Sequence, residues 1–173
     1  RNIQQNYFRY GLMAGLHNDR TDTSTVDYQV NATGRSIQTH ATTAGRETDI
    51  ELGGHVKEYL SGNAARIDAQ YRLLDYRNGR GAYTRNVVKF GGRYILNSAN
   101  YGKAELGFRT ASIADSTDEP FRFYPYVRVS YPLMTDTLTL FGGIKGNLKP
   151  NSYHGLTSEN PFLGGNANLR NTN

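Results

Sequence analysis

The sequence predicts an all-β protein: an antiparallel up-and-down transmembrane β-barrel, with about eight strands in these 173 residues, as part of a larger barrel. Three observations carry this. Apolar residues recur with a period of two along eight separate runs. Turn-forming residues separate the runs. Charged residues keep to one parity within them.

The first run sets the pattern. Phe8, Tyr10, Leu12, Ala14 and Leu16 alternate with Arg9, Gly11, Met13 and Gly15. Wound as a helix, the same residues would point all round, so strand is the better reading. The second run places Val26, Tyr28, Val30 and Ala32 against Asp27, Gln29, Asn31 and Thr33. In the third, Ile50, Leu52, Gly54 and Val56 face away from Asp49, Glu51, His55 and Lys57. The fourth sets Ile67, Ala69, Tyr71 and Leu73 against Arg66, Asp68, Gln70 and Arg72. The fifth sets Val88, Phe90, Gly92, Tyr94 and Leu96 against Lys89, Gly91, Arg93 and Ile95. Ala104, Leu106 and Phe108 then alternate with Lys103, Glu105, Gly107 and Arg109. Phe123, Val127, Val129 and Tyr131 alternate with Arg122, Tyr124, Tyr126 and Arg128. The last run sets Leu138, Leu140, Gly142 and Ile144 against Thr139, Phe141, Gly143 and Lys145.

Turns are predicted at 18–25, 43–46, 61–63, 77–81 (with Asn78 and Gly79), 97–100, 114–120 and 134–136. Such short connections cannot cross over a sheet, so neighbours pair antiparallel. Pro125 lacks a ladder donor, which predicts a bulge or an edge there. The glycine pairs at 53–54, 91–92 and 142–143 suit tight curvature, close approach of a plug, or simply ordinary barrel positions.

Length and charge choose the solvent for the apolar face. The runs span roughly 10 to 15 residues, against about 5–6 for globular strands and about 9–11 for a tilted transmembrane strand. Lys, Arg, Asp and Glu avoid the middle of every apolar face; Glu58 and Asp75 share its parity only at strand ends. A midplane Arg or Lys costs about 2–4 kcal/mol on a lipid-facing strand. A soluble sandwich also keeps charge off its core. However, Gly54, Gly92, Gly142, Ala14, Ala69 and Ala104 would fill such a core thinly, whereas lipid tails can fill the gaps. Phe8, Tyr10, Tyr28, Tyr71, Tyr94, Phe123 and Tyr131 are candidates for interfacial girdles.

Composition bounds the chemistry. The hydrophobic fraction is 37% and the mean hydropathy −0.65, with no Cys. A helical membrane protein, a disulfide scaffold and a Cys-type zinc site are excluded. The net charge of +5 is spread over every strand and mixed with acids, which speaks for a barrel interior rather than a nucleic-acid groove. His17, His40, His55 and His154 form no metal motif. Asp19, Asp22, Asp115 and Asp118 read as solvated loop acids. Ser152, Ser158, His154, Asn151 and Asn160 supply hydrolase residue types, but in one loop without a rigid frame. No enzyme activity, metal or cofactor is expected.

The last quarter carries the most specific text. Leu140 to Leu148 reads LFGGIKGNL, followed by Asn151 to Tyr153, Leu156, Thr157, and Glu159 to Phe162. From about residue 100 onward the chain resembles outer-membrane β-barrel proteins of the Bacteroidota of the TonB-dependent-receptor-like or porin-like kind. The resemblance implies an outer-membrane location and a non-enzymatic role.

The resulting expectations are these. Residues 1–173 form one incomplete barrel segment, with 149–173 a long loop or the start of a further strand. Arg66, Arg72, Lys89, Arg93, Lys103, Glu105, Arg109 and Arg128 line a lumen. Tyr153, Glu159, Asn160, Pro161 and Phe162 contact a partner or gate the path. The function is passage or receptor-type uptake of small polar solutes, anionic ones included, across a Gram-negative outer membrane. The alternatives are an accessory barrel in a larger outer-membrane complex and a soluble β-sandwich binding module. The partners are outer-membrane lipid, the solute, and a plug domain or other outer-membrane proteins, with no nucleic acid.

Overall fold

A computed structural model describes residues 6–18, 26–40, 44–79, 81–98, 102–114, 121–134, 138–148 and 150–160. The alternating runs form eight strands: β1(Asn6–His17), β2(Asp27–His40), β3(Gly45–Leu60), β4(Asn63–Asn78), β5(Gly81–Ser98), β6(Gly102–Ala114), β7(Phe121–Met134) and β8(Leu138–Lys145). They lie in one sheet in sequence order, each antiparallel to the next. β1 and β8 do not pair, so the sheet is open.

The registers put each apolar run on one face. Leu52 lies opposite Tyr71, Ala69 opposite Phe90, and Leu106 opposite Val127. Partners in an antiparallel pair share a face, so one parity error would have turned a whole strand over. The strands run from 8 to 18 residues, a wider spread than their alternation suggested. β3, β4 and β5 gain length because pairing continues past the apolar run into polar residues. Among these, Asp75 lies opposite Thr48 and Thr84.

A two-residue turn joins β3 to β4 through Ser61 and Gly62, with φ of 47° and 87°. Two successive positive φ values twist the chain in the sense a two-residue hairpin needs. Between β4 and β5, Asn78 is still paired with Gly81. The Asn78 side chain accepts the Gly81 N–H at 3.0 Å. The predicted turns at 18–25, 97–100, 114–120 and 134–136 fall largely outside the described residues.

Pro125 produces no bulge: the β6–β7 register runs unbroken through it. Pairing with β8 begins only at Tyr126, so Pro125 stands just where β7 becomes an edge. The irregularity falls instead between Pro132 and Met134. Gly107 and Gly143 allow close strand approach. A Cβ at Gly107 would collide with the Gly92 carbonyl oxygen, and one at Gly143 with that of Val127.

After β8 the chain folds back onto the polar face. Within the stretch 149–173, expected as a long loop or further strand, 161–173 lie outside the described residues, and Tyr153–Glu159 form α1. Ser152 is its N-cap: the side-chain oxygen accepts the Gly155 N–H at 3.1 Å. Tyr153 and Leu156, three residues apart, share a face and pack on the sheet. The buried core lies between this segment and the sheet. One cluster joins Ile37, Tyr76 and Tyr153, with Tyr7, Tyr83 and Leu156 around it. A second joins Val87, Ala111, Ile113 and Leu148 beside Tyr124.

Candidate functional site

All eight residues expected to line a lumen stand on the polar face, as the registers require. The structure gathers most of them into ion pairs. Arg72 holds Asp49 through two hydrogen bonds, at 2.8 and 2.9 Å. Arg66 pairs with Asp68 at 2.7 Å. Arg93 reaches Asp68 at 3.2 Å and Glu105 at 3.6 Å, and Lys103 takes the other Glu105 oxygen at 2.8 Å. The Tyr126 hydroxyl donates to Glu105 at 3.0 Å. The guanidinium groups of Arg93 and Arg109 each stand 5.4 Å from the centre of the Tyr126 ring. Lys89 donates to the Asn147 side-chain oxygen at 3.5 Å, and Arg128 is exposed.

Residues 146–148 and 150–160 cover one end of this face. Glu47 is the main anchor: 1% exposed, its carboxylate accepts the backbone N–H groups of Tyr153 and His154. These are first-turn N–H groups of α1, which have no partner within the helix. Arg9 donates to the carbonyl and hydroxyl oxygens of Thr157, both at 3.3 Å. Arg85 donates to the Asn151 carbonyl at 3.2 Å. Burial pushes the Tyr153 phenol up to about 12. Burial, and then the positive charges of Arg9 and Arg35, lower the pKa of His154.

Tyr153 therefore corrects the expected partner surface. It is 0% exposed, packed on Tyr76 with ring centres 5.3 Å apart, and holds the chain's own sheet. Glu159 and Asn160 are exposed at the far end of α1. Pro161 and Phe162 lie outside the described residues, as do Asp19, Asp22, Asp115 and Asp118. Ser152 and His154 sit on an ordered helix start rather than a loose loop, with the serine oxygen occupied as a cap.

Sequence reasoning missed Glu47, Asn147 and Leu148. It also missed the apolar footprint of Ile37, Tyr76, Val87 and Ile113 beneath the segment. The signal was a local break in alternation: 73–74 and 87–88 are apolar on both parities. A strand covered on both faces reads this way.

Between the covered end and the Glu105 network the polar face forms an open groove of about 410 Å³. Its lining includes Gln29, Asn31, Gln70, Lys89, Arg109 and Asn147. No protein-family model, curated protein or solved structure matches this chain.

Proposed function

We propose that this sheet is part of the wall of a transmembrane β-barrel in a Gram-negative outer membrane. Its polar face lines a path for passage or receptor-type uptake of small polar solutes, anionic ones included. The observation that carries this is the contrast between the two faces. The apolar face is exposed from edge to edge: Leu12 at 79%, Phe90 at 44% and Ile144 at 69%. A water-soluble monomer rarely leaves so much contiguous apolar surface in water. Lipid is the solvent that suits it.

The outer row of β4 is apolar from Ala65 to Leu73, five side chains over nine residues of strand, and Asp75 follows. That matches the roughly 9–11 residues of a tilted transmembrane strand. Hydrocarbon does not tolerate unpaired strand edges. The edges of β1 and β8 therefore need further strands, which makes the barrel larger than this sheet. At these edges even polar-face side chains are open: Met13 and Phe141 are both 75% exposed. Residues 146–148 and 150–160 then form a constriction inside the wall.

The filled end favours a second reading, an accessory barrel without transport. Conductance of the full-length protein in liposomes, with reversal potentials, separates the two. Stable steps that prefer anions support passage, and Arg109→Glu should shift the preference toward cations. Folded, inserted protein that passes no current supports the accessory barrel.

A further inference from the structure

We propose that the open groove on the polar face is a binding site for a small anionic polyol of the sugar-phosphate class. Lys89 and Arg109 hold the anionic group, and the amides of Asn31 and Gln70 hold the hydroxyls. This rests on the reading that the polar face lines a solute path, and it names the solute class.

The two cations are placed by register. Arg109 lies directly opposite Gly91, and Lys89 lies opposite Ala111. Lys89 and Arg109 are thus diagonal neighbours on adjacent strands, roughly 7–8 Å apart at the backbone. Gly91 offers no side chain of its own, and the stem of Arg109 lies across it. Among the described residues, neither cation lies within ion-pair distance of a carboxylate. The carboxylates that line the groove already have cations. Asp68 is held by Arg66 and Arg93, and Glu51 faces Arg72 at 4.0 Å. Lys89 and Arg109, the latter also against the Tyr126 ring, both line this groove, and two cations on one wall give a tetrahedral oxyanion two partners.

The rest of the groove has a different chemistry. Asn31 and Gln70 each present an oxygen acceptor and an NH₂ donor. Paired donors and acceptors at one end suit vicinal hydroxyl groups, which both donate and accept. The volume of about 410 Å³ falls in the range of roughly 300–1,000 Å³ typical of small-molecule sites.

The test is calorimetric titration of the purified full-length protein in detergent with glucose 6-phosphate, glucose and inorganic phosphate. Glucose 6-phosphate should bind tightest. Lys89→Gln and Arg109→Gln should each weaken it about tenfold, the loss of one charge-assisted contact, while glucose binding stays the same. Lys89→Arg should retain binding, which guards against a folding defect in the Gln variant. Asn31→Ala with Gln70→Ala should weaken glucose 6-phosphate and glucose but not phosphate. Equal binding of glucose and glucose 6-phosphate, or indifference to both charge removals, overturns the proposal. Phosphate binding as tightly as glucose 6-phosphate overturns the sugar half. Binding in micelles needs no open path. Protein that binds glucose 6-phosphate but carries no current thus refutes passage alone, and protein that conducts without binding refutes this site alone.

Discussion

Glu47 illustrates how much one side chain can decide. It sits on a strand, yet it satisfies two N–H groups of a helix more than a hundred residues later. Buried donors left without an acceptor are costly. Glu47→Gln replaces one acceptor oxygen with an NH₂ that faces an N–H donor. The expected loss is roughly 2 kcal/mol of docking free energy for residues 146–160. Faster limited proteolysis of that segment, with the sheet intact, would show it. Tyr153 makes the same contact sensitive to alkali. Its pKa is raised from 10.0 to about 12, so the docked state favours the protonated phenol. The stabilisation is complete below pH 10 and is lost as pH rises through about 12. Tyrosinate absorbance that develops in step with proteolytic release of the segment is the expected signature. Ser61 offers a gain in stability instead. Its φ of 47° is uncomfortable for serine and easier for asparagine. Ser61→Asn should therefore raise stability by roughly 0.5 kcal/mol, read as a shift in the denaturation midpoint.

At the scale of elements, the short helix is held by its surroundings. Seven residues are too few for a helix to persist alone in water. The Ser152 cap, the Glu47 anchor and the burial of Tyr153 supply what length does not. His154 gives this docking a pH dependence. Its pKa is lowered from 6.5 by burial first, then by Arg9 and Arg35, with Arg72 adding to the effect and Asp49 opposing it. Above pH 6.5 both docked and undocked states are neutral at this site, and docking is unhindered. As pH falls below 6.5 the undocked state takes up the proton first, so docking weakens in acid. Release of residues 146–160 should be greater at about pH 5 than at about pH 7.5, and His154→Gln should flatten the difference. The eight strands were legible because alternation is a local property repeated along the chain. The helix was not, because its reasons lie on other elements. Ile37, Tyr76 and Glu47 come from two hairpins, and no spacing in the sequence joins them to Tyr153. Legibility of the groove was likewise partial: parity put Lys89 and Arg109 on one face. Only the register showed them as diagonal neighbours across Gly91.

The whole molecule turns the usual distribution inside out. Its buried clusters lie on the face that carries the charges, and its apolar face is bare. In water that arrangement is unfavourable, since apolar area left exposed forgoes about 25 cal/mol for each Å² that burial would have removed. In a bilayer the same face needs no protein cover. The two solvents therefore predict opposite responses to charge on the apolar face. Phe90 stands in the apolar row of β5, level with Ala69, the middle residue of the apolar row of β4. In lipid, Phe90→Arg should cost about 2–4 kcal/mol, because a midplane guanidinium must be drawn toward the interface. If water bathed that face, the same substitution would change stability little and improve solubility. Gln70 is the internal control: it lies opposite Lys89 on the polar face, so Gln70→Arg enters a wet, charged groove. Reversible unfolding of the full-length protein from lipid vesicles reads both variants on one scale. A large loss for Phe90→Arg beside a small one for Gln70→Arg is the expected result. Equal effects at the two positions would remove the bilayer from the account and leave the exposed face to a protein partner.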